Sequence, residues 1–228
     1  MLSPEPAWYI ILHRTLECLY YVSGIAVAVL VAFGLRQIRI TSEQLRLTKE
    51  IAELAKKRES VKFAAAQCSY FAATVVPQLA QLNSLCHASK VTCFDLPRRE
   101  PNIPLTISEI DRPHPSFDLK QVQAPWDHIG YAASNCLNSL ESFAIPFAAG
   151  VADDAVGFQE TSALFCDSIH RYLPMIWHIR LTQDARYPSA LTLYCNWENR
   201  RQAERAAPLV KRVQALAESI DKNKIEPI

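Results

Sequence analysis

Two residues suggest chemistry first. Arg171 and His178 stand with six residues between them. An imidazole titrates near neutral pH and can pass a proton, while a guanidinium holds a phosphate with a fixed fork of donors. Glu141, Asp153 and Asp154 form the best carboxylate group. As general acids or metal ligands they would have to converge in one pocket. Asp153 and Asp154, however, are adjacent and stand where a helix begins, so their types favour capping. Glu141 lies among apolar neighbours and needs a partner, for which Arg171, Arg180 and Arg200 are candidates. Trp197, Arg200 and Arg201 could stack on a base or hold a phosphate. At that helical spacing the tryptophan reads more readily as core, with the arginines at its outer edge.

The composition narrows the classes. Only five glycines argue against a glycine-rich nucleotide-binding fold and against an all-β chain of tight turns. A net charge of +1 gives no overall attraction to nucleic acid. The seven cysteines (18, 68, 86, 93, 136, 166 and 195) are scattered, with no Cys-x-x-Cys pair and no zinc-finger spacing. They read as small buried apolar residues in a reducing compartment. No metal and no cofactor is expected.

The elements that position these residues start with an anchor. Leu19 to Leu35 is uncharged, with Trp8, Tyr9, Tyr20 and Tyr21 at its first end and Arg36 and Arg39 closing the other. At 1.5 Å per residue it covers about 25 Å, most of a hydrocarbon core. Aromatic rings at one border and arginines at the other are what a bilayer selects. Arg14 is the one arginine before the span, whereas Arg36, Arg39, Arg46, Lys49, Lys56, Lys57, Arg58 and Lys62 follow it. The basic flank predicts an N-terminus outside and a C-terminus in the cytoplasm.

Beyond the span, Leu47, Ile51, Leu54, Val61, Ala65, Cys68, Ala72, Val75, Leu79, Leu82 and Cys86 recur at alternating spacings of four and three, with Arg58 as the charged exception. That 3.5-residue period predicts coiled-coil-like packing. Its first half is polar off the seam and reads as a stalk; from Phe63 the chain is apolar all round and reads as a bundle helix that Pro77 should kink. Gly24, Ala28 and Ala32 stand four apart in the span, a spacing that lets two helices approach closely. Self-association through Gly24, Ala28 and Ala32 together with Leu47, Ile51 and Leu54 is the expectation.

Residues 97–125 hold six prolines and read as a surface loop, with an extended piece around Ile103 to Ile107. Helical signal returns over Trp126–Ala149, where Ile129, Ala133, Cys136, Leu137, Leu140, Phe143 and Phe147 share a face and Gly150 is the stop. It continues over Asp153–Leu181, where Pro174 should interrupt the helix, and over Ser189–Arg205 with Leu191, Tyr194 and Trp197. The last stretch is Pro208–Ile220, with Leu209, Val213, Leu216 and Ile220 inward. The whole predicts an all-α protein: an extracytoplasmic N-terminus (1–18), a transmembrane helix (19–35), a juxtamembrane helical stalk (36–60) and a cytoplasmic four- to five-helix bundle (61–222) carrying the proline-rich loop.

The stretches LECLYYVSGIAVAVLVAFGLRQIRI, LNSLESFAIPFAAGVADDAVGF, ALFCDSI and LYCNWENR resemble a family of small bacterial single-pass membrane proteins classed as a domain of unknown function. The likeness runs from Leu16 to Arg200 and is most specific over Leu137–Phe158. It implies a membrane effector or sensor of the kind found among phage-defence genes, and carries over no catalytic residue. The Arg171-x6-His178 spacing resembles the motif of HEPN ribonucleases, which are helical bundles, and that likeness implies RNA cleavage by pairs from two subunits, with His178 as acid and base and Arg171 on the phosphate. An anchored bundle of this layout is similar to CRISPR-associated membrane proteins. Two departures stand against that likeness: Tyr172 replaces the usual polar residue, and Pro174 lies between the pair. The leading expectation is a non-enzymatic membrane protein whose bundle senses or binds something. A membrane-tethered ribonuclease is the alternative, and a plain interaction scaffold the third. Its partners would be the lipid bilayer, further copies of the chain and a cytoplasmic protein, rather than nucleic acid.

Overall fold

A computed structural model of the chain describes residues 7–89, 104–113, 119–182 and 186–223. The fold is all-α. Its elements are α1 (Ala7–Tyr70), a π-helical turn (Phe71–Val75), α2 (Val76–Ala88), the short α3 (Ile107–Ile110), α4 (Leu119–Ala148), α5 (Asp154–Thr182) and α6 (Pro188–Asn223). No strand occurs among the described residues. The chain divides into two compact units, Met1–Lys56 and Lys57–Ile228.

The described part of the first unit is helix alone. Every described side chain between Ile11 and Lys56 is exposed. The helix is long and apolar enough to cross a membrane.

The second unit is a bundle. The end of α1 with α2, then α4, α5 and the first half of α6, surround one core. The inward face of α4 is the one the periodicity predicts, from Ile129 to Phe147, each residue at most 5 % exposed. Gly150 ends α4 with φ +68°, a left-handed conformation that costs glycine nothing. Its N–H donates to Phe147 O at 3.0 Å, and the N–H groups of Val151 and Ala152 donate to Pro146 O. At the centre, Trp197 meets Phe143, Phe147, Phe158 and Phe165 with ring centroids 5.4–6.2 Å apart, edge to face. Gly157 has no room for a side chain, because a Cβ there would run into the Phe147 ring.

Four sequence expectations change. First, Pro77 produces a π turn in place of an ordinary helical turn. A proline at 77 cannot donate to the carbonyl of residue 73, and the chain widens so that Val76 N–H bonds Phe71 O, five residues back. The widening also resets the phase. Upstream, Ala64 and Phe71 are buried where the seam predicts Ala65 and Ala72, which are exposed. Downstream, Val75, Leu79, Leu82 and Cys86 point inward as predicted.

Second, α4 starts at Leu119, inside the stretch assigned to the loop, because Pro125 is the one proline in that last part. Within the rest of the stretch, Thr106 is extended (φ −115°, ψ 153°), but Ile107 begins α3, closed by a capping box of Thr106 and Glu109. Ile103 lies outside the described residues.

Third, α5 passes through Pro174 unbroken. Burial of the flanking Leu173, Met175 and Ile176 holds the helix across the missing hydrogen bond.

Fourth, Ser189–Arg205 and Pro208–Ile220 are one helix, with Pro208 inside it. Glu204, Ala206 and Ala207 favour helix strongly enough to absorb a single lost bond. Leu209 and Val213 are exposed at 62 % and 65 %, not inward. The side chains of Leu216 and Ile220 lie outside the described residues.

Candidate functional site

Arg171 and His178 both lie on α5, about two turns and roughly 10 Å apart along its axis. They face different neighbours. Arg171 is exposed, and its guanidinium donates to Asn83 Oδ1 of α2 at 3.2 Å, beside the Tyr172 hydroxyl, which donates to the same oxygen at 2.7 Å. His178 packs against Trp126 of α4, with ring centroids 4.7 Å apart. Burial pushes the His178 imidazole below its ordinary value and favours the neutral ring. Seven residues apart, the two side chains lie within about 20° of one another around α5, two turns apart and against different neighbours.

The carboxylates do not converge either; each organises a helix end. Asp153 accepts from Val156 N–H at 3.2 Å and caps α5, as its position predicts. Asp154 turns across to α6, taking the Trp197 indole N–H at 2.6 Å and the Arg200 guanidinium at 3.4 Å. Among the described residues Glu141 pairs with no arginine. Its two oxygens accept the backbone N–H groups of Ser189 (3.1 Å) and Ala190 (2.8 Å), so α4 caps the N-terminus of α6. The cap satisfies two orphan donors and places a negative group at the positive end of the helix dipole. A residue 48 positions away supplies it, and no local pattern announces that. Trp197 is core at 1 % exposure. Arg200 lies over the Phe158 ring, 3.8 Å from its centroid, and also bonds Glu204.

A cluster that sequence reasoning missed lies between α5 and α6. Arg201 bridges Asp167 (3.1 Å) and Glu198 (3.0 Å), and His170 Nδ1 is 3.2 Å from the Tyr194 hydroxyl. Cys166 lies beside them, its thiol pushed up to about 12 by burial. Burial raises the Tyr194 phenol as well. At neutral pH both groups keep their protons and are poor nucleophiles. The arrangement pins α5 to α6 by charge. Its signal in the sequence was the spacing Glu198–Arg201 on α6, one turn apart.

Four of the cysteines (Cys86, Cys136, Cys166 and Cys195) are buried, Cys68 is half-buried and Cys18 exposed, all as free thiols; Cys93 lies outside the described residues. Among the described residues no three His, Cys, Asp or Glu side chains gather as metal ligands.

On α1, a Cβ at Gly24 would meet nothing within 4 Å, and Gly24, Ala28, Ala32, Leu47, Ile51 and Leu54 are all exposed. These six do not form one face. At about 100° per residue, the direction of Leu47, Ile51 and Leu54 lies roughly 110° around the helix from that of Gly24, Ala28 and Ala32. One straight partner helix cannot lie on both. A groove along α1, lined by Gly34, Gln37, Ile38, Thr41, Ser42 and Leu45, is open on most sides and encloses nothing.

The structure thus defines a class: an all-α bundle with a membrane-length apolar helix in the same chain. Comparison with protein-family models, with curated proteins and with solved structures finds no match.

Proposed function

We propose that this is a single-pass inner-membrane protein, with its N-terminus outside and its bundle in the cytoplasm. The bundle acts as a sensing or interaction domain, and the chain works as a membrane effector through self-association, in the manner that its resemblance to phage-defence membrane proteins implies. One observation carries the reading. Leu19, Tyr20, Tyr21, Val22, Ile25, Leu30, Phe33 and Leu35 are all at least 62 % exposed. A continuous apolar surface of this extent is far larger than soluble proteins leave in water, and a hydrocarbon phase is the solvent that covers it. The orientation rests on the basic residues that follow the span. The bundle's own chemistry supports a non-enzymatic role: Glu141 and Asp153 cap helices, Arg180, Arg200 and Arg201 are in ion pairs, and burial holds the Cys86, Cys136 and Cys166 thiols protonated.

Reporter fusions test the proposal. A reporter active only in the periplasm should be silent after Ile228, and a cytoplasm-active one bright, with the protein retained in carbonate-washed membranes. Release from the membrane, or the opposite reporter pattern, overturns it.

A further inference from the structure

We infer that the stalk of α1 is the seam of a parallel, in-register coiled coil with a second copy of this chain, set in register by Gln37 and Gln44 and ended by Arg58. The inference rests on the anchored reading above, because two copies with the same topology in one membrane must run parallel.

The seam is bare. Ile40, Leu47, Ile51 and Leu54 are exposed at 49 %, 48 %, 67 % and 59 %. Extended upwards at the same 4-3 spacing, it places Gln37 and Gln44 one heptad apart, at the position that Ile51 occupies in the next heptad. Glutamine is a poor residue to bury against leucine. Its amide, however, carries both donor and acceptor, so two glutamines facing across a two-fold axis satisfy each other. Only a parallel, in-register pair sets Gln37 opposite Gln37 and Gln44 opposite Gln44. An antiparallel pair, or a slip of one heptad half, would set each amide against an apolar side chain. Polar residues at this position are known specifiers of register and strand number.

The flanking charges select the same arrangement and the same end. In a parallel pair, Glu43 faces the second copy's Thr48 and Glu50 faces the second copy's Ala55, so no like charges meet. Arg46, on the outer side, forms an ion pair with Glu50 of its own helix at 3.7 Å. The pattern reverses one turn later. Arg58 occupies the seam and would face Arg58, while Lys57 would face the second copy's Lys62. Repulsion closes the pairing there, beside the boundary at Lys56 where the chain passes into its second compact unit. The small residues Gly24, Ala28 and Ala32 look elsewhere and take no part in this contact.

Cysteine scanning in native membranes tests the register, using the full chain with Cys18, Cys68 and Cys93 replaced by Ser. A disulfide needs Cα atoms within about 7 Å, which only facing positions meet. Gln44→Cys, Leu47→Cys, Ile51→Cys and Leu54→Cys should give strong disulfide-linked dimer on mild oxidation, and Lys49→Cys and Glu53→Cys several-fold less. Gln44→Lys should lower the Leu47→Cys cross-link several-fold, and Ser42→Lys, on the outer side, should leave it unchanged. A flat profile, or a maximum at positions 49 and 53, overturns the inference while the chain still fractionates with the membrane. Loss of the chain from carbonate-washed membranes overturns both the anchored reading and this one.

Discussion

The cap that Glu141 places on α6 gives the sharpest test of how the bundle holds together. Its carboxylate takes two backbone N–H groups, at 3.1 and 2.8 Å, and the site is half-buried. Hydrogen bonds to a charged group contribute about 1.5–3 kcal/mol each when water is excluded. Removing an ordinary cap costs about 1 kcal/mol. Glu141→Ala removes both bonds from a site that water partly reaches, so the cost falls between these limits, about 2–3 kcal/mol. Glu141→Gln keeps one acceptor oxygen and loses the charge, and should cost about 1 kcal/mol. For a domain of this size each kcal/mol moves the melting temperature by about 2–4 °C. Glu141→Ala should therefore melt about 4–12 °C below the parent in detergent micelles, followed by near-ultraviolet circular dichroism. Glu160→Ala, an exposed carboxylate on α5, should change little. Hydrogen exchange supplies the local readout: the amides of Ser189 and Ala190 should lose protection in Glu141→Ala before the rest of α6 does. An unchanged melt together with protected amides would refute the capping argument.

Further outcomes follow from other contacts. Gly157→Ala should destabilise the bundle by about 1–3 kcal/mol in the same melt, since its Cβ meets Phe147 Cζ at 2.7 Å with no space to yield; Gly24→Ala, on open helix, should not. Burial pushes the Cys136 and Cys166 thiols up to about 12. A raised thiol value means that the fold favours the protonated form, so its contribution is complete below about 9 and is lost as the pH climbs towards 12. Native protein should leave both thiols unlabelled by iodoacetamide at pH 7–9 and label them after denaturation, and its melt should fall above pH 9. If the chain is a membrane effector, over-expression should admit a membrane-impermeant dye into cells, in a manner that needs the residues up to Arg36 and survives His178→Ala. Harm that persists without the anchor and disappears with His178→Ala would favour the ribonuclease instead.

What the sequence disclosed and what it hid divide along a physical line. The membrane-length segment, the inward face of α4, the Gly150 stop and the Asp153 cap each depend on residues within a turn or two of one another, and each was legible. The same holds for the buried cysteines of the bundle, since a small apolar residue on a periodic face has one natural place. Contacts between distant positions were not legible. Nothing near Glu141 says that its partners are two amides beginning a helix 48 residues on, and nothing near Asp154 points to Trp197. The prolines misled in a consistent direction. Pro174 was read as an interruption and Pro208 as the start of a new helix, yet in both places the neighbouring residues carried the helix onward past one lost bond. The small-residue and seam faces were joined in the sequence reading because both suggest pairing. Their angular separation emerges only when the residues between them are counted around a continuous helix.

The π turn at Phe71–Val75 has a consequence for how chains of this design can change length. In a regular helix, inserting or deleting one residue rotates everything beyond it by about 100°, which would swing Leu79, Leu82 and Cys86 out of the core. The π turn already holds one residue more than a regular turn. Losing one there returns the segment to ordinary helix and leaves Ala64 and Phe71 on one side of it, and Leu79 and Leu82 on the other, facing the same core. This short stretch is where the helix can be shortened by a single residue while its neighbours keep their places.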